Sequence, residues 1–186
     1  MTRRVHSLSP LSSADAAFRL LTQGPKPLSV DGQLIGGTLP PRSIPLDELK
    51  RLLLRPVTGA ATRDAAWKVL VTRSRRDGPS WVIGTVGVAL PGLRRAASRL
   101  ACGYGGDTAD IDAEVLTGFL TALRSADVSR PAIAARLRWA AYRAALRSGM
   151  PTASPAAGMC CRCGRLRRRS RGAIPTSCSP TPSPSA

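Results

Sequence analysis

Residues 107–123 read DTADIDAEVLTGFLTAL, and this stretch decides the fold class. Its apolar residues are spaced 4, 1, 3, 1 and 3 positions apart, which places them on one face of an α-helix. They are Ile111, Val115, Leu116, Phe119, Leu120 and Leu123. Asp107 precedes this stripe as a good N-cap residue, and Asp110 follows three positions later. The stretch therefore predicts an amphipathic helix that packs its apolar face on a core.

The same stretch is acidic, although the chain is strongly basic. The 186 residues carry 28 Lys and Arg against 11 Asp and Glu, which gives a formal net charge of +17. Four of these eleven acids lie within residues 107–114, and Asp107, Asp110 and Glu114 share one edge of the predicted helix. Two interpretations stay open. The acids stabilise the helix N-terminus by about 0.3–1 kcal/mol each, or they form an exposed ridge that docks on a basic protein.

Four further helices are predicted around this one, because apolar residues recur at helical spacing between glycine and proline punctuation. They lie between Pro45 and Pro56, over residues 62–78, from Pro79 to a glycine turn at 103–106, and over residues 130–147. Pro91 is expected to kink or split the third of these segments. We therefore predict an all-α fold, a small bundle of about five helices that covers residues 46–148.

Both ends of the chain are predicted to be irregular. Residues 1–45 are rich in Pro, Gly and Ser, and we expect mostly irregular structure there with one short helix near residues 12–21. Residues 149–186 contain six Arg and no acid, and they show no apolar periodicity. We expect this basic, low-complexity tail to be disordered.

Composition disfavours several classes of function. No run approaches the roughly 18 apolar residues of a membrane span, and no apolar segment follows Arg3 and Arg4, so we predict a cytoplasmic protein without a signal peptide. His6 is the only histidine and no nucleophile motif is present, so we predict no enzyme, no cofactor and no small-molecule substrate. No metal site is predicted either, because the tail cysteines lack paired C-x-x-C spacing. These are Cys160, Cys161, Cys163 and Cys178.

The net charge and the last predicted helix indicate a nucleic-acid partner. Arg136, Arg143 and Arg147 fall within about 40° of one another at 100° per residue, and Trp139 and Tyr142 flank that stripe. Sites for single-stranded nucleic acid combine such residues, because phosphates pair with Arg and bases stack on aromatic rings. The alternative is an ordinary amphipathic helix whose Trp packs inward and whose arginines are solvated.

Two other basic runs also allow both interpretations, binding to an anionic partner or simple solvation. They are GLRRAASRL at residues 92–100 and RCGRLRRRSR at residues 162–171. Each is able to bind phosphate, RNA or a membrane surface without specificity, but charge runs of this kind are usually just solvated.

The pattern D-x-x-D-I-x-x-E-V-L of residues 107–116 resembles region 2 of bacterial RNA polymerase sigma factors, which typically show D-x-x-D-L-x-Q-E-x-F there. Asp107, Asp110, Ile111 and Glu114 carry the resemblance. The segments before and after it, VIGTVGVALPGLRRAASRLACG and RLRWAAYRAAL, also look similar to the neighbouring helices of that family, so the likeness spans about residues 81–147. In overall style the chain is similar to proteins of high-GC actinobacteria.

The resemblance implies a sigma-factor-like transcription protein. The four matching acidic-helix residues would dock on RNA polymerase core, and helix 131–147 would contact DNA, in particular single-stranded promoter DNA. The predicted nucleic-acid contacts are Arg136, Trp139, Tyr142, Arg143 and Arg147. A second hypothesis is a non-enzymatic helical adaptor or mobile-element accessory protein. Two departures favour it: Ala113 stands where the family has glutamine, and the tail predicts no second, helix-turn-helix domain.

Overall fold

The structure, a computed structural model, describes residues 9–102 and 104–148. Within these ranges the chain is all-α, as predicted, with seven helices and one two-stranded sheet. In chain order the elements are α1 Pro10–Gln23, β1 Ser29–Asp31, α2 Gly32–Ile35, β2 Ser43–Pro45, α3 Leu46–Leu54, α4 Ala60–Arg76, α5 Pro79–Ala101, α6 Thr108–Ser125 and α7 Ile133–Arg147. The disorder predicted for the tail concerns residues 149–186, which lie outside the described residues.

Helix α5 is the centre of the bundle, and α1, α3, α4, α6 and α7 all pack on it. Its mostly apolar sequence fits this position, because a helix enclosed by neighbours has little solvent-facing surface. A Cβ at Gly87 would overlap the ring of Phe18, so glycine is required where α1 crosses α5. The split that was one of the two outcomes predicted at Pro91 does not occur, since α5 continues to Ala101. The surrounding packing holds the helix together although Pro91 removes one hydrogen bond.

The N-terminal segment is more ordered than the sequence analysis predicted. Helix α1 contains the short helix expected there and buries Leu11 and Phe18 in the core. Strands β1 and β2 pair antiparallel, with Val30 opposite Ile44, and both side chains are buried. For residues 9–45 the expectation of mostly irregular structure was wrong, because strands of three residues are too short to show an alternating pattern. The folded unit therefore includes residues 9–45 as well as residues 46–148.

Helices α6 and α7 form the most extensive helix pair of the described structure. The stripe predicted for α6 is confirmed, since its Ile111, Val115, Phe119 and Leu123 are all buried. A Cβ at Gly118 would lie 3.1 Å from the Ala141 backbone, so the pair approaches closely at this point. None of the helices in the described ranges combines the length and the hydropathy that a bilayer span requires.

The start of α7 is fixed by a residue from a different helix. Asp64 of α4 accepts hydrogen bonds from the backbone N–H groups of Ala132 at 2.8 Å and Ile133 at 3.0 Å. Its carboxylate thus satisfies N–H groups that have no partner inside the helix. Ala132 has φ of 58°, in the left-handed region, so the chain turns sharply just before α7 begins. This contact ties the start of α7 to α4.

Candidate nucleic-acid interface

A surface groove of about 630 Å³ runs between α5 and α7. We call it the basic groove. It is lined by Gly92, Arg95, Ala96 and Arg99 of α5 and by Ala135, Arg138, Trp139 and Tyr142 of α7. Three of these eight residues are arginines and none is acidic, so the groove attracts anions.

Helical spacing explains how the two helices form this groove. On α5, Gly92, Ala96 and Arg99 recur at intervals of four and three, so small residues line one face beside an arginine. Because these residues have short side chains or none, space remains between α5 and α7. A Cβ at Gly92 would lie 3.3 Å from the Cδ of Arg138, so the aliphatic part of that arginine lies over the glycine. The side chain of Arg138 therefore crosses from α7 toward α5.

An aromatic pair forms one wall of the basic groove. The rings of Trp139 and Tyr142 stack with centroids 5.4 Å apart and an interplanar angle of 17°. Trp139 is 58% exposed, whereas every other aromatic side chain in the described residues is buried or half-buried. Leaving an indole in water forgoes about 25 cal/mol per Å² of apolar burial. The alternative in which Trp139 packs inward is therefore wrong, and its ring is available to a partner.

The arginines of the basic groove lack partners of opposite charge. Within residues 9–102 and 104–148, no carboxylate lies within 4.0 Å of Arg95, Arg99 or Arg138. Other arginines of the fold are already engaged. Arg63 donates to the carbonyl groups of residues 53 and 55, and Arg75 donates to those of residues 123 and 126. The guanidinium groups of the groove are thus free to pair with an anion.

The structure divides the five predicted nucleic-acid contacts into three groups. Trp139 and Tyr142 line the basic groove. Arg143 and Arg147 are exposed on the adjoining face of α7, outside the groove. Arg136 is half-buried and donates to the carbonyl groups of residues 127, 130 and 131, so it stabilises the loop before α7. The guanidinium of Arg136 is thus engaged by the protein's own backbone, and its contact with nucleic acid stays a prediction.

The sequence alone did not indicate that Arg95, Arg99 and Arg138 belong to one site. Arg138 shares a face of α7 with Ala135 and Tyr142, at spacings of three and four, and this signal was present in the sequence. The other two arginines lie in the basic run at residues 92–100, and the sequence does not indicate which helix packs beside that run. Only the packing of α5 against α7 brings this run opposite the aromatic pair.

The acidic edge of α6 is largely engaged within the protein. Asp107 accepts a hydrogen bond from the N–H of Ala109 at 2.9 Å and caps the helix as predicted. Glu114 accepts one from the Ser148 hydroxyl at 2.6 Å, close to the end of α7. Asp110 is exposed, and its carboxylate accepts no hydrogen bond from any described residue. These contacts favour the interpretation in which most of the acids serve the fold.

Ile111 was predicted as a polymerase contact, and the structure places it in the core. Its side chain is 1% exposed and packs with the apolar stripe of α6. It therefore cannot contact a partner while the bundle is folded. The acidic neighbour Asp112 is also engaged, because it accepts a hydrogen bond from the hydroxyl of Ser9, just before α1.

The described residues offer no site for a metal ion. No group of three or more His, Cys, Asp or Glu side chains in residues 9–102 and 104–148 lies close enough to hold one. Cys102 is a free, exposed thiol. The four tail cysteines discussed above lie outside the described residues.

Fold and groove together define an all-α protein with an arginine-rich, aromatic surface groove. Comparisons of the chain with protein-family models, with curated proteins and with solved structures found no match. The resemblance to sigma factor region 2 therefore rests on the residues quoted for it, chiefly those of segment 107–116.

Proposed function

We propose that this protein binds single-stranded nucleic acid in the basic groove. The observation that carries the proposal is the exposed, stacked pair of Trp139 and Tyr142 beside three arginines without carboxylate partners. A base that stacks on an aromatic side chain contributes about 1–3 kcal/mol. Each arginine that neutralises a phosphate adds affinity through the release of counterions. We further propose a non-enzymatic, cytoplasmic role in transcription.

A single strand suits the groove better than a duplex does. The bases of a duplex are stacked on one another, so their faces are closed to Trp139. The exposed indole offers one flat surface, and Tyr142 stacks behind it at 5.4 Å, which restricts the orientation of the indole before a ligand arrives. Such preorganisation lowers the entropic cost of binding.

The test compares a labelled 12-nucleotide single strand with the corresponding duplex by fluorescence anisotropy. We expect the single strand to bind more tightly, and we expect Arg138→Ala to weaken it. Arg124→Ala is the matched control, because Arg124 is an exposed arginine of α6 outside the basic groove. Equal binding of the two DNA forms, or equal effects of the two substitutions, would contradict the proposal.

A second proposal follows from the exposed carboxylate of Asp110. If the acidic edge of α6 docks on RNA polymerase core, as the sigma-factor resemblance implies, then Asp110 is the member free to do so. Asp110→Arg should abolish co-purification with the core enzyme, because two like charges would meet at the contact. Asp77→Arg serves as the control, because Asp77 is an exposed carboxylate at the end of α4 whose nearest arginine nitrogen, on Arg73, lies 3.9 Å away. If the wild-type protein fails to co-purify, the adaptor hypothesis takes the place of the sigma-like one.

A further inference from the structure

A second cavity adjoins the basic groove. It is an apolar trough of about 440 Å³, enclosed by α3, α4, α5, α6 and α7. Its apolar walls include Leu53, Leu54, Trp67, Val88, Leu93 and Phe119. Gly92, Ala135 and Arg138 line both the trough and the basic groove, so the two cavities meet at these residues, and we call them the joined cavities.

The joined cavities combine an apolar end with a cationic end. Leu54 at the edge of the trough is 62% exposed, which leaves apolar surface in water at this point. Each cavity falls within the about 300–1,000 Å³ that is typical of small-molecule sites, where apolar walls accompany a few convergent polar groups. The size and the lining of the trough therefore fit a small apolar moiety.

The charges along both cavities have one sign. Lys50, Arg63 and Arg138 line the trough, and no Asp or Glu lines either cavity. Burial lowers the pKa of Lys50, whose Nζ lies 5.0 Å from the centroid of the Phe18 ring. Arg63 is held by backbone carbonyl groups, so the free guanidinium of this set is that of Arg138, at the junction of the cavities. An occupant that satisfies both ends is anionic at the junction and apolar beyond it.

We propose that the joined cavities bind a monomeric anionic amphiphile, with its phosphate or carboxylate head on Arg138 and its alkyl chain in the apolar trough. This inference goes beyond the proposed function and does not depend on it. The head group and a nucleic-acid phosphate both require Arg138, so the amphiphile competes with oligonucleotide for the groove. Two ligands that need the same side chain cannot both bind it.

Dodecyl phosphate, used below the concentration at which it forms micelles, is the probe, and titration calorimetry on the full chain is the assay. We expect saturable binding of one molecule per protein, with no loss of helical circular dichroism. Inorganic phosphate supplies the head without the chain, and dodecyl maltoside supplies the chain without the anion. Both should bind at least about tenfold more weakly, which corresponds to about 1.4 kcal/mol. Equal binding of either one would overturn the proposal.

Leu54→Asp introduces a negative charge at the edge of the trough and should weaken dodecyl phosphate about tenfold or more. Leu34→Asp is the matched control, because Leu34 is a 70% exposed leucine of α2 that lines neither cavity. Ala134→Leu, which fills the trough without adding charge, should weaken the probe as well. Unchanged binding by both trough variants would refute the assignment of the alkyl chain to this cavity.

Two other outcomes would also overturn the proposal. The first is binding to vesicles of anionic lipid without binding of the monomer, which would indicate a membrane surface contact. The second is a dimer of the wild-type protein that Leu54→Asp dissociates, which would show that a second copy covers the trough. Failure of dodecyl phosphate to displace a bound oligonucleotide would contradict the shared use of Arg138 and not the binding of the amphiphile. Absence of oligonucleotide binding together with normal binding of the probe would contradict the proposed function alone.

Discussion

Replacement of Trp139 by alanine separates the role of this residue in the fold from its role in binding. The side chain is 58% exposed, so about two-fifths of its surface is buried. An aromatic side chain presents up to about 250 Å², and at about 25 cal/mol per Å² the buried part corresponds to roughly 2.5 kcal/mol. This is an upper estimate, because the unfolded chain already buries part of its apolar surface. We therefore expect Trp139→Ala to lower the free energy of unfolding by about 1–2 kcal/mol and to leave the protein folded.

The expected loss of binding free energy is a larger fraction of its total than the expected loss of stability is. Loss of one stacked base costs about 1–3 kcal/mol, which corresponds to a decrease in affinity of about 5- to 150-fold. Trp139→Phe keeps a smaller ring at the same position and should lose less than Trp139→Ala does. Anisotropy titrations with a labelled 12-nucleotide single strand measure the affinity, and urea unfolding followed by circular dichroism measures the stability.

The matched control is Leu20→Ala, because Leu20 is an exposed apolar residue of α1 outside the basic groove. This control should leave the affinity for the single strand unchanged. If Trp139→Ala stays folded and binds within about twofold of the wild type, the indole is not a stacking surface. The groove would then bind phosphates only, and the proposal that bases stack on the aromatic pair would be refuted.

Three further outcomes are expected. Replacing the three groove arginines by alanine should reduce the salt dependence of single-strand binding by about two in log–log slope. Replacing three exposed arginines on other faces should reduce that slope less. Equal slopes for the two triple variants would place the binding charge elsewhere. Asp64→Ala removes the acceptor at the start of α7 and should cost about 1–2 kcal/mol in urea unfolding, and an unaltered midpoint would show that this cap is dispensable. The hydrogen bond from Arg42 holds the pKa of Glu48 below its ordinary value, so the pair's contribution to stability is present above the ordinary pKa and is lost as pH falls through the lowered pKa. Glu48→Gln should therefore flatten the pH dependence of thermal stability in this acidic range, and an identical pH profile would contradict the assignment.

The helices from α3 to α7 were predictable because each has a long apolar stripe with Gly or Pro at its ends. The stripe of α6 is the clearest example, since four of its six members are buried and the other two, Leu116 and Leu120, are half-buried against the core. The N-terminal segment was not predictable in the same way. Phe18 belongs to the core because it fits against Gly87, and nothing in either local sequence indicates that the two residues meet.

Only the part of the candidate site that lies on one helix was predictable from the sequence. Trp139 and Tyr142 lie on one helix, so helical periodicity was sufficient to group them. Arg95 and Arg99 belong to a helix more than thirty residues earlier, and their position depends on tertiary packing. A helical projection also placed Arg136 toward a ligand, but it contains no information on the loop carbonyls that this guanidinium contacts.

The crossing of α1 over α5 determines how much of the chain must be kept when the protein is shortened. Phe18 packs against Gly87, and Lys50 of α3 lies over the same ring, so α1 closes one side of the central helix. A fragment that starts at residue 46 would retain all five helices predicted from sequence but would leave the glycine face of α5 uncovered. We expect such a fragment to aggregate and a fragment of residues 9–148 to remain monodisperse, so truncation experiments on the groove should begin upstream of α1.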